Sequence, residues 1–141
     1  MYLTSEKIEK LLVLKENFQH EKLKEILSRA IENWKNVPVA RYTFGTIRNL
    51  FSGKIEFLNN EIGCCLIGSS ILGMTTNKSF DYMPDLLSLS DDEIDIITLA
   101  FDGEKESALR NCKSETDFLL CNETVKIQDI IFNNEDSKTN S

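Results

Sequence analysis

The sequence predicts a single all-α or mostly α domain, a bundle of about five to seven short helices with at most one short strand or hairpin in its middle. Three observations carry that expectation. Leu23, Ile26, Leu27, Ala30, Ile31 and Trp34 recur at i, i+3, i+4, i+7, i+8 and i+11, the apolar stripe of a helix lying on a core. Ser90-Asp91-Asp92-Glu93 is a capping box in front of a second stripe, Ile94, Ile97 and Phe101. Between them, Gly63 to Gly73 holds no charged residue and reads as a buried central helix. The chain has 141 residues, 41% hydrophobic and 28% charged. That suits one globular domain and excludes a collagen, a coiled-coil rod, a disulfide-dense toxin and a fully disordered chain.

Taken in order, the first element runs from Ser5 to Trp34 as one long helix or two, with Asn17 to His20 as the place for a break. Val37-Pro38-Val39 ends it, because proline disfavours helical geometry in the residue before it. Phe44, Ile47 and Phe51 are spaced for a short helix that Ser52-Gly53 stops, and Lys54 to Leu58 alternates as a short strand would. In the uncharged run, Cys64 with Gly68 and Cys65 with Ser69 are small pairs four residues apart, which would admit a neighbouring helix, and Gly73 is placed as a C-terminal cap. Asn77 to Leu87 reads as a loop with one helical turn around Pro84. Leu89 and Ile94 complete a hydrophobic staple around the capping box, and Gly103 ends that helix. Ser114 opens another short helix through Cys121, and Thr124 to Phe132 is a last short helix or a strand. Residues 1–132 make the domain; 133–141 lack any large apolar side chain and read as a disordered polar tail.

The formal net charge of −7 is unevenly spread. Residues 1–32 are neutral, residues 33–80 carry +3, and residues 81–141 carry −10, with no acid between Asn33 and Ile55. No segment approaches the roughly 20 apolar residues that span a bilayer, and the amphipathic N-terminus is unlike a signal peptide. The expectation is a cytoplasmic protein of the producing or infected cell, with no membrane partner. Its acidity disfavours duplex nucleic acid.

Several chemistries fail on spacing. Cys64, Cys65, Cys112 and Cys121 lack the paired intervals of a zinc site and read as small buried hydrophobes in a reducing compartment. A calcium loop begun at Asp102 puts Ser107 where glycine is required and Lys113 where the bidentate glutamate belongs. Gly63, Gly68 and Gly73 match no phosphate-binding motif. His20, flanked by Gln19 and Glu21, reads as a solvated surface residue, although a Cys–His nucleophile would need it. No metal, cofactor or catalytic residue is implied, and the pattern favours a binding protein over an enzyme.

Two candidate sites remain. The acids Asp95, Asp102, Glu104 and Glu106 could meet a basic surface on another protein, while Asp91 and Asp92 serve chiefly to cap their helix. Alternatively Trp34, Arg41, Tyr42, Arg48 and Lys54 combine charge with aromatic faces and could hold a nucleotide or another phosphate-bearing small ligand. A Cys-dependent enzyme is the third reading.

The motifs together also resemble a known pattern. Ile26-Leu27-Ser28-Arg29-Ala30 is followed by Cys65-Leu66-Ile67-Gly68-Ser69, then Ser90-Asp91-Asp92-Glu93-Ile94, Phe101-Asp102 and Thr124 to Ile131. This resembles small uncharacterised bacterial and phage proteins with an I-L-x-x-A helix, a C-x-x-G-A core helix, a capped acidic helix and a short final helix. Here Ser69 stands in place of the usual alanine. Fourteen isoleucines, twelve asparagines and twelve lysines against four alanines point separately to an AT-rich genome, that of a phage, a virus or an AT-rich bacterium. The resemblance spans roughly residues 25–131 and implies an all-α domain. The family carries no assigned activity, so it transfers no functional residue.

Overall fold

A computed structural model describes residues 1–58, 62–77 and 83–133. Among these are seven α-helices and one two-stranded antiparallel hairpin, the mostly helical fold expected. Helices α1 (Ser5–Glu16) and α2 (Glu21–Trp34) are separate. Thr4 caps α1 by accepting the Lys7 N–H, and the N–H groups of Asn17 and Phe18 turn back onto Leu14 and Lys15 to close it. The chain then restarts at His20, whose Nδ1 accepts the Leu23 N–H as the N-cap of α2. Every residue of the predicted α2 stripe is buried.

Helix α3 (Leu66–Ile71) is the centre of the molecule, and all six of its residues are buried. It is shorter than the uncharged run suggested. Gly63 and Cys64 form an extended approach, in which Cys64 bridges Val39, and Cys65 is the N-cap, its Sγ accepting the Gly68 N–H. The small residues admit backbone, not only a helix. A Cβ on Gly68 would overlap the Phe44 carbonyl. Ser69 donates to the Ala30 carbonyl at 2.8 Å, and Asn33 donates to the Ser69 and Leu72 carbonyls, so α2 caps the C-terminus of α3.

The segment Arg41 to Phe51 is not a helix. Thr46–Arg48 is strand β1, paired with β2 (Ile55–Phe57) in the register Thr46↔Phe57, Ile47↔Glu56 and Arg48↔Ile55. The helical spacing of Phe44, Ile47 and Phe51 was coincidental: Ile47 and Phe51 point outward, and β-branched Thr46 and Ile47 before a Gly53 turn are the strand signal. The strand anticipated at Lys54 to Leu58 is β2. Its buried Ile55 exchanges backbone hydrogen bonds with Gly73 and Met74, which fastens the hairpin to the core.

A short helix, α4 (Met83–Leu87), stands where a turn around Pro84 was expected, and the rest of that loop, residues 78–82, lies outside the described residues. The capping box of α5 (Asp91–Phe101) is complete: Glu93 N–H donates to Ser90 Oγ, and Ser90 N–H donates to Glu93 Oε1 at 2.9 Å. Leu89 and Ile94 are both buried. Helix α6 (Lys105–Arg110) follows Gly103; its one fully buried residue is Ala108, too little periodicity to announce it. The last two predicted segments are one helix, α7 (Glu115–Gln128), running on into a π-helical turn, Asp129–Asn133. Phe101 joins the two ends of the core, stacked on Trp34 at 6.0 Å and edge-on to Phe132 at 5.5 Å. Of the predicted tail, 133–141, Asn133 ends the π-helical turn instead, and residues 134–141 lie outside the described residues.

Candidate interaction site

The basic and aromatic window does not converge. Trp34 is buried, its Nε1 donating to the Cys64 carbonyl at 3.0 Å, so its face is spent on Phe101. Arg41 lies with its guanidinium 4.1 Å from the centre of the Phe132 ring. Tyr42 holds a left-handed backbone, φ 66°, and clasps Asp102: its N–H donates to Oδ1 and its hydroxyl to the Asp102 carbonyl, both at 3.0 Å. These residues tie the chain after α2 to the end of α5. They form a structural clasp, from which the Tyr42 side chain remains 70% exposed.

The clasp also removes Asp102 from the proposed acidic face. Its side chain is buried, and burial pushes the carboxyl above the usual carboxylate range. The Tyr42 N–H pulls it down, Glu104 pushes it up and Arg41 pulls it down. By contrast Asp95, Glu104 and Glu106 are exposed, as are Asp91 and Asp92 in the first turn of α5. Asp92 lies 3.7 Å from the Lys113 ammonium, with both side chains largely in solvent.

Arg48 and Lys54 belong to a different feature, the hairpin tip. Between them Leu50 is 80% exposed and Phe51 is fully exposed. The turn is braced from within. Asn49 Oδ1 accepts the N–H groups of Phe51 and Ser52, Ser52 Oγ accepts that of Lys54, and Gly53, at φ 72°, donates to the Asn49 carbonyl. The far side of Gly53 is closed by the Thr76 carbonyl, 2.6 Å from where a Cβ would stand. Two large apolar side chains are thus held out in water on an ordered turn. Neither cation has an ion pair among the described residues.

The thiols are the reverse of nucleophiles. Burial pushes Cys64 and Cys112 up to about 11 and Cys65 up to about 12, and raises Cys121 as well. His20 is buried, contrary to the solvated position expected. Its Nδ1 is the α2 cap and its Nε2 lies 4.0 Å from Glu93, so neither nitrogen is directed at a thiol. Its flanking polar residues misled because the carboxylate that anchors its backbone N–H, Glu123, is 103 residues away. Among the described residues no group of three or more His, Cys, Asp or Glu side chains could hold a metal ion.

Among the open clefts that border α1, two are the larger. One, about 530 Å³, is lined by Leu12, Arg29, Asn33, Ser70, Leu72 and Met74 among others. The second, about 550 Å³, follows the stripe Glu6, Lys10, Val13, Leu14 and Asn17, with Glu9 beside it and Ile130 of the π-helical turn as its other wall. No helix among the described residues is long and apolar enough to cross a membrane. No protein family, curated protein or solved structure matches the chain, and the resemblance to small bacterial and phage proteins rests on the sequence motifs alone.

Proposed function

We propose that this chain is a small acidic intracellular binding protein, an accessory or regulatory protein of a phage or bacterium, that engages another protein through its hairpin tip. The observation that carries the reading is the full exposure of Phe51 beside Leu50 on a turn braced by Asn49. A flexible loop could fold such residues inward; an ordered turn keeps them in water, and interfaces gather their energy from aromatic anchors of this kind. Arg48 and Lys54 frame the anchor and favour a partner with an acidic rim. The exposed acids Asp95, Glu104 and Glu106 supply solubility and a secondary electrostatic face. The nucleotide reading loses the Trp34 face to the core and keeps only the exposed Tyr42 ring, and raised thiols oppose a Cys-dependent enzyme.

The test is affinity capture from producing cells with three forms of the chain: wild type, Phe51→Asp and the doubly reversed Glu104→Lys/Glu106→Lys. The tip reading expects specific proteins to be lost with Phe51→Asp and retained with the double variant. Retention with Phe51→Asp and loss with the double variant would move the interface to the acidic face.

A further inference from the structure

We propose that the partner of the hairpin tip is a second copy of this chain, which receives Leu50 and Phe51 in the groove lined by Val13, Leu14 and Ile130. This rests on the reading of the tip as a docking element and adds what it docks into. Tip and groove match in three respects. Each exposes apolar surface: Phe51 fully and Leu50 by 80% on the tip, and Val13 by 65% in the groove. Their charges are opposite. Arg48 and Lys54 flank the tip without ion pairs among the described residues, and Glu6 and Glu9 line the groove. Glu6 already holds Lys10 at 3.1 Å, which leaves Glu9 as the acid without an ion pair among the described residues. Finally, a groove of about 550 Å³ exceeds the volume of the two side chains together.

Residues 134–141, Asn-Glu-Asp-Ser-Lys-Thr-Asn-Ser, follow directly after the groove wall, but they contain no large apolar side chain to fill it. The hairpin tip is a segment of this chain that carries both the apolar pair and the cations.

Tip and groove are different surfaces, so the contact is heterologous. A pair joined in this way still has one tip and one groove unused, and association continues head to tail into a ring or an open chain. The contact is small, in the transient class of interface, and therefore depends on concentration; its ion pairs make it weaken with salt.

Sedimentation of the purified chain at increasing concentration tests this. Wild type should exceed the mass of one chain at low salt and return toward it at high salt. Phe51→Asp and Val13→Asp should each be monomeric; both positions are exposed, and circular dichroism checks that each variant is folded. The decisive arm mixes the two. Phe51→Asp keeps a groove and Val13→Asp keeps a tip, so one interface forms and the mixture stops at a 1:1 dimer. A wild type that stays monomeric at its highest soluble concentration overturns the second copy as partner, as does a mixture of folded variants that does not dimerise. If protein capture nonetheless still requires Phe51, the docking role of the tip stands and only this partner falls. If Phe51→Asp alters neither mass nor capture, both fall.

Discussion

The backbone N–H of His20 donates to Oε1 of Glu123 at 3.1 Å across 103 residues of chain. The other oxygen of the same carboxylate accepts the Gln19 N–H at 2.8 Å. A single buried side chain of α7 thus satisfies the two donors at which the first helical stretch breaks in two. This fixes the turn between α1 and α2 against the far end of the sequence.

Replacing that carboxylate should be expensive. Glu123→Ala leaves two N–H groups without acceptors at a site 5% exposed, and should lower unfolding stability by about 2–3 kcal/mol. Glu123→Gln keeps an acceptor oxygen and should lose clearly less. Urea titration of both variants measures the difference; equal losses would show that the cost is one of packing, not of stranded donors.

Glycine substitutions separate two physical costs. Gly68 has an ordinary helical backbone, but a Cβ there would overlap the Phe44 carbonyl. Gly73 has open space around it and a φ of 91°. Gly73→Ala should therefore cost only the conformational strain, about 1–2 kcal/mol. Gly68→Ala must displace backbone across the central helix and should cost more, about 3 kcal/mol or above. Thermal unfolding of both chains ranks them, and the reverse order would refute this account of α3.

The helices were legible where one element carries its own signal. The α2 stripe and the Ser90–Glu93 box are local patterns, and both are present as read. What escaped depended on distant groups. Phe44, Ile47 and Phe51 mimic a helical period, but Ile55 bonding to Gly73 and Met74 pulls that segment into a hairpin. The anchoring of the His20 backbone depends on Glu123, and the withdrawal of Asp102 on Tyr42. The candidate site was half visible for the same reason. Arg48 and Lys54 were singled out by charge, but the Leu50–Phe51 anchor between them becomes informative only once the turn is seen to hold it in solvent.

Asp102 makes stability depend on pH in an unusual direction. Its folded carboxyl binds a proton more tightly than the usual 3.8 of an aspartate, chiefly because it is buried. Between that value and the raised one, the folded state holds more protons than the unfolded state, so this group's contribution falls as pH rises through the window. Asp102→Asn keeps an acceptor for the Tyr42 N–H and should flatten that part of the profile. Stability measured from acid to neutral pH in both chains checks it; an unchanged slope would assign the dependence to other carboxylates.

The cysteines should behave as core residues. Cys64 and Cys65 are buried, and burial holds them as neutral thiols up to about 11 and 12, so native alkylation at mildly alkaline pH should be slow at both. Cys112 is half-buried and should be modified first, although its thiol too is pushed up to about 11. Labelling of Cys64 and Cys65 should then wait for unfolding and accelerate with added urea. The same shifts give a second readout. The unfolded thiols ionise around the ordinary 9.0 and the folded ones near 11–12, so stability fully present below 9.0 is lost as pH rises through that interval. Rapid labelling of Cys65 in the native state, insensitive to urea, would mean that the N-terminus of α3 opens on its own.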